Sequence, residues 1–334
     1  MQRFWRYEDG AVPNLLAITY ALTAYTGGLL LLASASVGLN LVGVFLLSHG
    51  LVIAAYLVHE CAHNTLCANN RHNALLGEVL DWVTGTSYTP YEAIRHKHFR
   101  HHVDRADVVA FDYRKKLQRY PAAVKIIQGL EWMYVPAVQL MMHAMVIVLP
   151  FVMENRRKNR GRVLGVLFLR VLYFGCLIYF APRIAIFYPI AYMLFLNVMR
   201  FMDTHQHTYE IFATLDRERG PEAKRFDAEY EQHNTFSNLI SIRHPWLNLL
   251  VLNFGYHNAH HGRPTTPWYR LPALHAKLYG DDKTQILPFR NLLYAFHHYR
   301  VRRALNEEDN DIGAAEDKGR HFIGVDGVSF LTTH

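Results

Sequence analysis

Residues 10–59 read GAVPNLLAITYALTAYTGGLLLLASASVGLNLVGVFLLSHGLVIAAYLVH, fifty positions without one Asp, Glu, Lys or Arg. About 20 residues of helix cross the ~30 Å hydrocarbon core of a bilayer. The run therefore divides into two crossings, 12–35 and 39–61, joined near Ser36 to Gly38. A secretory signal core needs only about 7 to 15 apolar residues, so this stretch is expected to remain as membrane helix and not to be cleaved.

Further along come three more apolar segments, 132–153, 163–181 and 184–204, the last two separated only by Pro182 and Arg183. Proline interrupts a helix, so this pair reads as a helical hairpin through the bilayer. Residues 154–162 carry five basic side chains, Arg156, Arg157, Lys158, Arg160 and Arg162, and the excess of Lys and Arg in cytoplasmic loops places them inside. Trp132 to Met153 holds Pro136, His143 and Pro150. A crossing there would put the two polar halves of the chain on opposite faces, so an interfacial or re-entrant helix is the preferred reading. Residues 75–83 space their apolar side chains as a helix lying on the membrane surface would. The expectation is an all-α membrane protein with four transmembrane helices and interfacial amphipathic helices. A helical cytoplasmic cap, 62–162 and 205–304, completes a single domain 1–304, with both termini on the same face. The remainder, 305–334, reads as a polar, mobile tail dispensable for chemistry.

The 334 residues are 51% hydrophobic and 19% charged, with a net charge of 35 − 28 = +7. That composition excludes a disordered, linker or collagen-like chain. Three cysteines, Cys61, Cys67 and Cys176, form no CxxC pair and indicate no disulfide framework. The unusual count is histidine, 21 of 334.

These histidines bunch at helical spacing. His59-Glu60-Cys61-Ala62-His63 places two imidazoles one turn apart, while His98-Phe99-Arg100-His101-His102 and His257-Asn258-Ala259-His260-His261 each gather three on one helix face. Neutral imidazole is the commonest protein metal ligand, and eight of them exceed what one tetrahedral zinc takes, so two metal ions are the economical reading. Boxes two and three share a membrane face only if the chain crosses an even number of times between them, as the hairpin 163–204 does. A ninth ligand is expected just past the fourth helix. His207 is the first choice there and His205 the competitor.

At these residues the chain resembles the membrane fatty acid desaturases, the histidine-box di-iron superfamily that also holds lipid and carotenoid oxygenases. The resemblance rests on HECAH (59–63), HKHFRHH (96–102) and GYHNAHH (255–261), with Pro90-Tyr91, Gln206-His207-Thr208-Tyr209-Glu210 and Arg270-Leu271-Pro272 in support. It covers roughly residues 35–290. It implies two irons held by His59, His63, His98, His101, His102, His207, His257, His260 and His261, with O2 as co-substrate and no catalytic side chain beyond the metal centre. Some family members place an Asn four residues before the inter-box His; here Asp203 stands there, so Asp203, like Glu60, is a candidate to orient a ligand. No fused haem segment HPGG is present, and electrons are expected from a separate ferredoxin or cytochrome b5-type donor. The implied substrate is a membrane lipid or acyl chain, with no nucleic-acid partner. Basic clusters at Arg95, Lys97, Arg100, Arg105 and at Arg114, Lys115, Lys116 are candidates to meet lipid phosphates or an acidic donor.

Two other readings share these residues. A hydroxylase or ketolase of lipids or carotenoids uses the same boxes. HECAH also matches the zinc-protease pattern HExxH with Glu60 as general base, which leaves two HxxHH boxes unexplained.

Overall fold

The computed structural model describes residues 3–210, 212–215, 226–305 and 311–332. Among them, four helices are long and apolar enough to cross a membrane: Glu8–Leu32, Val37–Ala62, Glu154–Phe180 and Ile184–Thr204. The α-helical parts of the first two are α1 (Ala11–Leu32) and α2 (Val37–Ala62). Then follow α3 (Asn70–Thr84), α4 (Tyr91–Asp104), β1 (Asp107–Val109), α5 (Tyr113–Leu117), α6 (Pro121–Trp132) and α7 (Ala137–Val152). The second half holds α8 (Arg160–Phe180), α9 (Ile184–Thr204), β2 (Phe212–Thr214), α10 (Ala228–His233), α11 (His257–Gly262), α12 (Leu271–Tyr279) and α13 (Phe289–His298). The chain divides into two compact units, one made of residues up to Arg95 with His143–Val198, the other of His96–Met142 with the chain from Met199 on.

In the first unit, α1 buries Ala17, Ala21, Ala24 and Gly28, a stripe of small residues at spacings of three and four. Without a hydrophobic force between helices in lipid, small residues that let backbones approach closely hold such pairs together. Gly28 shows how close: a Cβ there would lie 2.7 Å from Leu47 Cβ. Asn40 closes the turn between the helices by donating its Nδ2 to the carbonyls of Leu31, Leu32 and Ser34 at 2.9 to 3.0 Å. Those carbonyls lie at the end of α1, where the regular i+4 donors run out. Asn40 Oδ1 in turn accepts from Arg183 Nη1 at 2.9 Å, in the break between α8 and α9. On α8, Leu164, Phe168, Val171 and Phe180 are exposed, as a lipid-facing helix requires.

The segment Trp132 to Met153 is not one long helix. The chain breaks at Met133–Pro136, where Tyr134 takes φ 62°, and the remaining α7 has 16 residues, short for a crossing.

In the second unit, β1 and β2 pair in parallel, Asp107 opposite Phe212 and Val109 opposite Thr214. Its centre is a buried ion triad. Arg200, near the end of α9, donates Nε and Nη2 to Asp326 at 2.7 and 2.6 Å, and Nη1 to Glu131. Arg303, fully buried, donates to the carbonyls of Ile323 at 2.6 Å and Ala295 at 3.2 Å.

The expected mobile tail is therefore corrected for its described part, 311–332; residues 306–310 and 333–334 lie outside the described residues. Phe322, Ile323, Phe330 and Leu331 are buried, and Asp326 supplies the triad's second carboxylate. Gly324 sits at φ +77°, and a Cβ there would collide with the side chain and carbonyl of Thr204. Apart from one short 3-10 turn at Ala315–Asp317 the segment packs without helix or strand, so no period in its sequence announced it.

Candidate metal centre

Seven of the nine candidate ligands lie in the second unit. His98, His101 and His102 occupy one face of α4, His257, His260 and His261 occupy α11, and His207 follows α9 in an extended segment. That segment is fixed by Phe236 N–H donating to the Gln206 carbonyl at 2.7 Å. The short α11 is held by its own Asn258, whose Oδ1 accepts from Ser237 Oγ at 2.7 Å and whose Nδ2 donates to the Thr235 carbonyl at 2.5 Å.

His101, His207, His257 and His261 converge. The Nε2 of His261 is 3.3 Å from that of His101, 3.2 Å from that of His207 and 3.1 Å from that of His257, and the last two are 2.9 Å apart. Their outer nitrogens decide where the protons are. His101 Nδ1 lies 2.8 Å from the Ala106 carbonyl and His261 Nδ1 lies 2.8 Å from Glu231 Oε1. A carbonyl and a carboxylate only accept, so both rings donate from Nδ1 and carry bare lone pairs on Nε2. These two bare nitrogens face each other with no proton between them.

Protonating the rings does not relieve that contact. Burial, then the neighbouring His207, pulls His101 down to about 3. Burial alone takes His207 to about 3, and burial with the surrounding imidazoles lowers His261 well below the ordinary histidine range. A cation among the four nitrogens turns the repulsion into ligation. Metal–imidazole bonds of about 2.0 to 2.1 Å put neighbouring ligand nitrogens about 3 Å apart, the spacing present here. The residues fit a metal ion.

A second grouping lies beside the first: His102 Nε2 is 3.1 Å from His98 Nε2 and 3.2 Å from His260 Nε2. In the first unit, the buried rings of His59 and His63 lie one turn apart at the end of α2, centroids 4.8 Å apart and planes tilted by 59°. Glu60 Oε1 is 3.5 Å from His59 Nδ1, and Glu60 Oε2 accepts from the Thr65 hydroxyl at 2.6 Å.

His205 and His207 lie in different surroundings. His207 joins the four-nitrogen cluster, whereas His205 is buried among Phe201, Phe296 and Phe322, its ring 5.4 Å from that of Phe322. Asp203 lines a cavity of about 40 Å³ with Lys97, His98, His101, His207 and Phe330. That volume suits a few waters or a small gas molecule.

The basic clusters do not form the surface expected of them. Lys97 is 1% exposed and donates to the carbonyls of Ser329 and Thr332 at 2.6 and 2.8 Å; its burial, partly offset by Asp203, brings it down to about 7. Arg100 pairs with Asp104, Arg105 with Glu231, and Arg114 is buried. Lys115 and Lys116 are exposed.

Sequence reasoning missed Glu231, the Ala106 carbonyl and Asp107, whose Oδ1 stands 3.6 Å from His207 Nδ1. Nothing near Glu231 signals its role, since its partners His261 and Arg105 are 30 and 126 residues away. Glu231→Ala is expected to lower metal content and activity about 10- to 100-fold, the usual effect of losing a group that orients a histidine ligand. Glu231→Gln, which keeps an accepting oxygen, should retain most of both. Metal analysis by mass spectrometry on the purified variants checks this.

The chain matches the sequence profile of the family described as "Fatty acid desaturase" over residues 36–292. A search of the curated proteins finds no match.

Proposed function

The chain belongs to the fatty acid desaturase family, and from that premise we propose that it introduces a carbon–carbon double bond into the acyl chain of a membrane lipid, using two irons and O2. Membership makes it an oxidoreductase, a desaturase or a related hydroxylase, and with its four apolar helices an integral membrane protein. The observation that carries the proposal is the pair of bare, facing Nε2 atoms of His101 and His261 within a cluster of four imidazoles.

In this reading the nine histidines of the resemblance, His59 and His63 included, hold the irons. When bound and reduced by an external donor, the irons supply, with O2, the oxidising power to remove hydrogens from unactivated methylenes, which no side chain has. The protein orients and insulates. Glu231 and the Ala106 carbonyl keep the protons of His261 and His101 on Nδ1, so that Nε2 stays available. Phe254, Val328 and Phe330 line the small cavity and keep bulk water from it. A ferredoxin or cytochrome b5-type donor would meet the cytoplasmic face, the face assigned to both termini and the metal centre by the basic residues 154–162.

Expression in a host of known lipid composition, with double bonds located by mass spectrometry, tests the proposal. A new double bond without inserted oxygen, together with iron in the purified protein, is the expected result. Inserted oxygen would assign the chain to the hydroxylases instead. One zinc and no iron would overturn the di-iron reading.

A further inference from the structure

The metal centre leaves one buried cation of the membrane-spanning helices without a role. Arg170 lies ten residues into α8 and is 9% exposed. Charged side chains within membrane spans are costly and mark binding sites or pathways. Its Nη2 donates to the Trp82 carbonyl at 2.5 Å and to Ser87 Oγ at 3.3 Å, and the guanidinium lies 5.2 Å from the Trp82 ring centroid. All these partners are neutral. Among the described residues no carboxylate pairs with Arg170, and its buried Nε has no hydrogen-bond partner.

The guanidinium stands at one end of an open groove of about 940 Å³ with apolar and aromatic walls. Along α8 the groove runs past Tyr173 and Leu177 to Phe180, and along α1 from Tyr25 to Ala33. At 1.5 Å per helical residue its α8 side is about 15 Å long. The arrangement is an apolar trough ending at a cation that lacks a counter-ion.

We propose that this groove binds a long-chain fatty acid anion, its carboxylate on Arg170 and its chain along α1 and α8. Guanidinium stays charged when buried and donates strong, charge-assisted hydrogen bonds to a carboxylate. A single chain is favoured over a phospholipid by depth. Arg170 is about 12 Å along the helix from the basic segment ending near Arg162, and a phospholipid would have to carry its whole headgroup that far. The site stands apart from the metal-centre reading, because it rests only on first-unit residues.

A photoreactive fatty acid and its methyl ester, each incubated with the full-length protein in nonionic detergent, test the proposal, with labelled peptides mapped by mass spectrometry. The acid is expected to label 25–33 and 169–180. Arg170→Gln should cut that labelling about tenfold, as loss of a charge-assisted pair does, Arg170→Lys should keep most of it, and the ester should label weakly in every variant. Leu177→Trp, which fills the groove and leaves Arg170 intact, should also remove the label. Equal labelling by acid and ester, labelling undiminished in Leu177→Trp or in folded Arg170→Gln, or capture of an anionic phospholipid in place of the fatty acid would overturn the proposal. Iron content of the same preparations reports separately on the metal centre.

Discussion

Replacing His261 by alanine is expected to lower product formation by more than about 100-fold, beyond the range usual for residues that merely orient a ligand. His261 Nε2 stands within 3.3 Å of three other imidazole nitrogens and is the common vertex of the cluster. Its removal takes away one bare nitrogen and leaves Glu231 with no imidazole to orient. Metal content should fall with activity, while detergent-solubilised protein keeps its helical circular dichroism. His244→Ala, exposed and outside both groupings, is the control and should match the parent in activity and metal. Full activity in His261→Ala would remove the basis of the proposed centre.

The other large effect is expected from ending the chain at Leu305. On composition alone that deletion looks harmless. In the structure it removes Asp326 from Arg200, leaves Arg303 without the Ile323 carbonyl and strips from Lys97 both carbonyls that accept its protons. Removing one partner of a buried ion pair alone costs about 3 to 5 kcal/mol, a large part of the total stability of an ordinary domain. Activity is expected to vanish and the thermal midpoint in detergent to fall by many degrees. Asp326→Ala, which deletes only one carboxylate, should show a smaller drop in the same direction. A truncated protein with unchanged melting and activity would show that the packed segment contributes nothing.

These two predictions mark the limit of what the sequence discloses. A bilayer imposes a length and an apolar composition on whatever crosses it, so residues 10–59 could be divided into helices by counting. Imidazoles at i, i+3 and i+4 share a helix face by geometry alone, so the three boxes could be read as ligand sets. Glu231 and Asp326 carry no such local mark. Each acts by pairing with a residue far off in the chain, and a lone carboxylate in a polar stretch reads the same whether it ends in solvent or against a buried guanidinium. The same blindness made Lys97 and Arg114 look like surface charge. Periodicity reports on neighbours along a helix, and these contacts are made between segments.

The Arg200 to Asp326 pair also fixes an order of events during synthesis. Asp326 is made 126 residues after Arg200, and at about 5 to 20 residues per second the ribosome needs roughly 6 to 25 s to reach it. Through that interval the four apolar helices are already available to the membrane while Arg200 still lacks one of its two counter-ions. Docking of the 320s is therefore a late step in maturation, and the histidine pocket lacks two of its lining side chains until Val328 and Phe330 arrive.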